Sequence, residues 1–104
     1  MEGYDVQPLQ RGPKPVCERD IEQALVDAVE SEGGICWKWV SPGRVGVPDR
    51  IVVLRGRVVF VELKAPGEKL RPEQERRHAD LRRAGADVIT IDTLGAACSI
   101  GDWL

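Results

Sequence analysis

The feature that most constrains this chain is the run GVPDRIVVLRGRVVFVELK, residues 46–64. Two apolar, β-branched segments, DRIVVL and RVVFVELK, are separated by Arg55-Gly56 alone. Short runs of valine and isoleucine favour strands, and a two-residue connection implies an antiparallel hairpin. Both segments are apolar on both faces, which predicts central strands in a sheet covered from both sides. The covering helices must come from elsewhere in the chain.

They are easily found. Ile21, Leu25, Ala28 and Val29 recur at helical spacing and Gly33-Gly34 supplies a stop, which predicts a helix over 18–32. ICWKWV, residues 35–40, reads as a strand ended by Ser41, Pro42 and Gly43. After the loop APGEKLR, Pro72 at a first helical position with Glu73 and Glu75 opens a second helix that runs to Gly85. DVITID, residues 87–92, reads as a fourth strand, and the tail TLGAACSIGDWL holds one short helical turn before Trp103 and Leu104 pack back. The order is αβββαβ, an α/β fold with a mixed central sheet of about four strands flanked by helices. Residues 1–16, with Gly3, Pro8, Gly12, Pro13 and Pro15, are expected to form an extended arm, and residues 17–104 one domain.

Composition narrows the function classes. No apolar run approaches the ~20 residues of a membrane span, and the N-terminus lacks a signal-peptide core, so a cytoplasmic protein is expected. Cys17, Cys36 and Cys98 form no CxxC pair, which supports neither a disulfide framework nor a zinc site. A formal charge of −2 excludes coating nucleic acid by bulk charge, although a local basic patch is compatible with it.

The hairpin nevertheless carries charge where a core hairpin should not. With Arg55-Gly56 as a two-residue turn, Asp49 falls opposite Glu62, and alternation puts Asp49, Ile51, Val53, Val58, Phe60, Glu62 and Lys64 on one face. A one-residue slip would break that pairing. Facing carboxylates repel, and a divalent cation relieves the repulsion: Mg²⁺ favours hard oxygen donors and takes one or two protein carboxylates beside phosphate oxygens. Lys64 on the same face would then hold an attacking water or the charge developing on phosphorus. The alternative is a strand end of ordinary salt bridges, Asp49 and Glu62 pairing with Arg50 or Lys64.

GVPDR, VELK and RPEQ together, on an αβββαβ order, resemble the VRR-Nuc group of the PD-(D/E)XK nuclease superfamily over roughly residues 18–92. The resemblance implies a restriction-endonuclease-like core and a metal-dependent endonuclease. Asp49, Glu62 and the main-chain carbonyl of Leu63 would bind Mg²⁺ or Mn²⁺, Lys64 would position the water, and Gln74 would match the family's glutamine. The family also uses a glutamate on the first helix. Glu18 and Glu22 compete for that role on one helical face, and a resemblance to archaeal Holliday-junction resolvases, which place this glutamate shortly before a core leucine and a helix-ending glycine as Glu22 stands to Leu25 and Gly33, implies Glu22.

Gln74, His78 and Leu81 share a helical stripe, so Gln74 needs a buried partner, which the site carboxylates or Lys64 would provide. His78 is expected to be a packed side chain rather than a ligand. Lys38, Arg44, Arg50 and Arg71 are the expected DNA contacts, with Lys38 and Arg44 foremost because SPGR enters the site. Trp37 and Trp39 share a strand face with Ile35, and core or subunit-interface packing is favoured over stacking on unpaired bases. Stand-alone relatives of this kind resemble phage enzymes that dimerise and cut branched DNA such as Holliday junctions, so a homodimer acting on branched DNA is expected. A nicking or flap nuclease is the enzymatic alternative. An inactive DNA- or protein-binding module on the same scaffold is the other.

Overall fold

The computed structural model describes residues 14–104. Most of the expected arm therefore lies outside the described residues. The elements run α1 (Glu18–Ser31), β1 (Ile35–Lys38), β2 (Arg50–Leu54), β3 (Arg57–Leu63), α2 (Pro72–Arg83), β4 (Asp87–Ile91), α3 (Leu94–Cys98) and a closing 3-10 turn, Ile100–Trp103. The four strands form one sheet in the order β1-β2-β3-β4. The first three are antiparallel, and β4 lies parallel to β3 after the α2 crossover. No described helix is long and apolar enough to cross a membrane.

The hairpin has the expected register. Leu54 pairs with Arg57 and the ladder counts back to Arg50 opposite Val61. Both turn residues adopt positive φ, 56° at Arg55 and 77° at Gly56, as a type I′ turn demands. An arginine in that conformation needs an anchor. Its guanidinium donates to the Gly101 carbonyl at 2.6 Å and pairs with Glu32, tying the turn to the end of α1 and to the tail.

One face of the sheet carries the core. Ile21, Leu25 and Val29, a single stripe of α1, are fully buried against Cys36, Val52, Leu54, Val59, Val61 and Leu63, with Ala97 and Ile100 closing the layer. Each such aliphatic side chain contributes about 1.5–3 kcal/mol by leaving water. The tail is thus more structured than its pattern suggests. Its sequence, LGAAC, gives α3 little periodicity, yet α3 and the 3-10 turn seal the core beside α1.

The other face corrects the expectation of two-sided cover. Helix α2 lies over its β3–β4 half, where Gln74 and His78 are buried and the Arg82 guanidinium donates to the Val88 carbonyl at 2.7 Å. Among the described residues no helix lies above the β1–β2 half and the turn end of β3, leaving Ile35 38%, Trp37 67% and Val58 51% exposed. Trp39 is half-buried, its ring 5.0 Å from that of Phe60. Trp37 therefore is not a core residue.

Candidate metal and catalytic site

The site sits at the open end of the hairpin, where backbone chemistry changes. In this register the hydrogen-bonded pair after Arg50–Val61 and the unbonded Asp49–Glu62 would be Pro48 with Leu63. Proline has no N–H, so the ladder stops there. The Leu63 N–H is taken instead by Asp49 Oδ2 at 2.8 Å. The Leu63 carbonyl faces the same side and receives no ladder donor from Pro48. One proline thus aims a carboxylate and leaves a main-chain oxygen beside it. The ladders on either side remain closed, with Trp39 N–H donating to the Asp49 carbonyl at 2.9 Å and Lys64 N–H to the Ile91 carbonyl at 3.0 Å.

Gly46 holds the approach to this turn. Its φ is +93°, and a Cβ there would stand 2.5 Å from the Glu73 carbonyl oxygen. The GVP segment therefore packs its backbone directly on the first turn of α2. A side chain at 46 would push the two apart.

Glu62 is the centre of the cluster and only 2% exposed. Its Oε2 accepts from Gln74 Nε2 at 3.2 Å and lies 3.8 Å from the Lys64 ammonium; its Oε1 lies 3.3 Å from His78 Nε2. Gln74 is held in turn, since its Oε1 accepts the Arg71 N–H at 2.9 Å, which fixes which end of the amide faces the carboxylate. Burial, and then the neighbouring Asp49 carboxylate, push the Glu62 carboxyl up to about 8, with Lys64 opposing them. Desolvation, and then Arg82, hold His78 below the ordinary imidazole range.

This arrangement suits a hard divalent cation. Two carboxylates face each other with too little positive charge nearby to keep both ionised at neutral pH. The donors are all oxygen: Asp49, Glu62 and the Leu63 carbonyl. Among the described residues no group of three His, Cys, Asp or Glu side chains converges as a metal cage, so the remaining ligands would be water or substrate, the coordination habit of Mg²⁺.

The helix-one glutamates separate. Glu22, the expected partner of the site, accepts from Arg50 Nε at 2.9 Å, while Arg50 Nη1 donates to the Cys36 carbonyl at 2.9 Å. Glu18, one turn earlier, has a carboxyl raised first by burial and then by Asp49, with Lys64 pulling it back. Glu18 thus feels Asp49 and Lys64, Glu22 is paired with Arg50, and both line one pocket with Asp49.

The expected DNA contacts separate likewise. Arg50 is turned inward to Glu22 and the core side of β1, which corrects its assignment as a phosphate contact. Lys38 is exposed and lines a shallow pocket with Glu18, Glu22, Trp39, Pro48 and Asp49. Arg44 is exposed on the loop facing α2, and Arg71, exposed at the start of α2, pairs only with Glu73 at 3.5 Å. His78 exceeds its expected role. It is fully buried and touches Glu62, and its i+4 spacing from Gln74 was the available signal.

Comparison with known proteins agrees with this fold. The model of the VRR-NUC domain matches residues 6–92. A phage protein, "Putative nuclease p44" of Acyrthosiphon pisum secondary endosymbiont phage 1, is 54% identical over 77 residues, 73% of this chain and 83% of its own. A solved structure titled "VRR_NUC domain" superposes with a TM-score of 0.74 at 31% identity, covering 83% of this chain and 95% of that one. A second, "VRR_NUC domain protein", shares the fold at a TM-score of 0.67 and 14% identity over 86% and 88% of the two chains.

Proposed function

The chain belongs to the VRR-NUC domain family, and from that premise we propose that it is a Mg²⁺- or Mn²⁺-dependent endonuclease that cuts branched DNA as a homodimer. The observation that carries the hydrolytic part is the convergence of Asp49, Glu62 and Lys64 at the end of an apolar sheet, with Pro48 leaving the Leu63 carbonyl beside them. A structural salt bridge needs none of that backbone preparation.

Asp49, Glu62 and the Leu63 carbonyl hold the ion. When bound, the ion supplies Lewis-acid polarisation of the phosphoryl oxygen and lowers the pKa of water. Lys64, only 3% exposed, presents its ammonium at Glu62, where it orients the attacking water and offsets charge developing on the phosphate. Gln74 keeps the Glu62 carboxylate turned toward the site by spanning from the Arg71 backbone to Oε2. Glu18, at the rim, is placed to accept a proton from water. Lys38, Arg44 and Arg71 carry the phosphate contacts that an acidic chain needs near its active site.

The homodimer is supported by the uncovered half of the sheet. Ile35, Trp37 and Val58 form an apolar strip that no other described residues cover, and a second copy would bury it. A two-fold pair of sites matches the paired strands of a four-way junction.

The test is cleavage of end-labelled four-way junction, flap and linear duplex by purified protein with Mg²⁺, Mn²⁺ or EDTA. Metal-dependent cutting with the junction preferred is the expected result. Preference for the flap would replace the branched-junction reading with a flap nuclease. Binding without cutting under every condition would replace the enzyme with a binding module.

A further inference from the structure

The family reading assigns Glu62 to the metal but gives no role to the histidine that touches it. His78 is fully buried, and its Nδ1 is buried too, with no hydrogen-bond partner among the described residues. As packing alone this is a poor choice, because leucine or methionine would fill the volume without a stranded polar atom. The ring is explained by its other nitrogen. Nε2 lies 3.3 Å from Glu62 Oε1, while Gln74, one turn earlier on α2, donates to Oε2. One helical stripe thus addresses both oxygens of one carboxylate.

We propose that His78 is a positioning residue for the Glu62 carboxylate, donating from Nε2 to Oε1 and so fixing the orientation in which Glu62 meets the metal. It rests on the metal-dependent reading given above. A metal-bound carboxylate is ionised and offers only acceptors, so Nε2 carries the hydrogen and Nδ1 is left bare. Two donors hold Glu62 in plane, and each oxygen retains a lone pair for the ion. Freed of His78, the carboxylate turns about its terminal torsion, which is broad in an unrestrained glutamate. Donors behind metal-ligating groups typically change affinity by ~10–100-fold when removed.

The experiment compares His78→Gln with His78→Asn by calorimetric titration of the DNA-free protein with Mn²⁺, alongside melting curves and junction cleavage. The glutamine amide reaches about where Nε2 stands, whereas the shorter asparagine amide stops near Nδ1. Both are polar and equally foreign to a buried position, so melting controls for the shared cost. The expected result is that Gln keeps Mn²⁺ affinity within about threefold of wild type while Asn loses ~10–100-fold, with kcat falling in step and KM for DNA unchanged. Equal affinity in the two variants, whether both intact or both impaired, overturns the positioning role while leaving wild-type cleavage and the nuclease reading standing. Wild-type protein that neither binds Mn²⁺ nor cuts DNA overturns both.

Discussion

Lys64 is a cation buried at the rim of a β-sheet, a placement that costs solvation and is sustained by the carboxylate 3.8 Å away. Removing its charge by Lys64→Met keeps most of the stem and takes away the ammonium. Junction cleavage is expected to fall by ~10²–10³-fold while the protein still folds and binds DNA, the usual effect of losing a transition-state electrostatic partner. Single-turnover rates against binding constants measure this directly. Glu62 makes a pH prediction. Its carboxyl is raised from the ordinary 4.5 to about 8 in the folded protein, so the metal-free fold binds a proton that the unfolded chain releases. Stability of the metal-free protein therefore declines as pH rises from about 5 to 8, and Mn²⁺ affinity climbs over the same upper range because ion and proton compete. Melting curves at pH 6 and 8 should show the decline in wild type and its loss in Glu62→Gln. Asp49, Glu62, Lys64 and Gln74 were legible in the sequence because the hairpin register alone places three of them on one face. The contacts of Glu18 and His78 were not, since neighbours on one helical face differ only in what the rest of the fold brings against them.

Elements matter here chiefly through the GVPD turn. Pro48 withholds the N–H that would close the ladder on Leu63, and Gly46 lets the turn seat on α2. Pro48→Ala restores a donor facing the Leu63 carbonyl. It is expected to lower Mn²⁺ affinity several-fold with the fold retained, as read by calorimetry and circular dichroism. Gly46→Ala meets both a positive φ and the Glu73 carbonyl at 2.5 Å. It should cost about 1–3 kcal/mol in chemical denaturation, the range for a residue forced into a left-handed conformation. Strand and helix positions followed from periodicity within a residue or two, and the two-residue turn held despite arginine at a positive φ because Arg55 is anchored on Glu32 and Gly101. The short helical turn expected in the tail is α3, whose bounds were not legible because LGAAC carries no stripe. Its role in sealing the core is visible only once α1 is packed.

At the scale of the whole molecule, the described residues leave the sheet one dry face and one half-covered face. Sequence pattern predicted cover on both sides, since strands apolar on both faces look alike whether a helix or another subunit lies above them. The uncovered Ile35, Trp37 and Val58 are where the homodimer reading is most exposed to test. Trp37→Glu places a charge in that strip and is expected to convert a dimer to monomer in sedimentation or light scattering. The proposed metal site, at the far end of the sheet face, should still bind Mn²⁺. An unchanged mass in the variant would move the interface elsewhere.

The central claim is that Asp49 and Glu62 hold a divalent ion for phosphodiester hydrolysis. Asp49→Asn keeps an oxygen to accept the Leu63 N–H and removes the charge, so it separates structural from chemical roles. Single-turnover cleavage of a labelled four-way junction in Mg²⁺ tests the claim most directly. Metal-dependent cutting by wild type, with a drop of about a hundredfold or more in folded Asp49→Asn protein, is what the structure predicts. Equal cutting by the two proteins would contradict it.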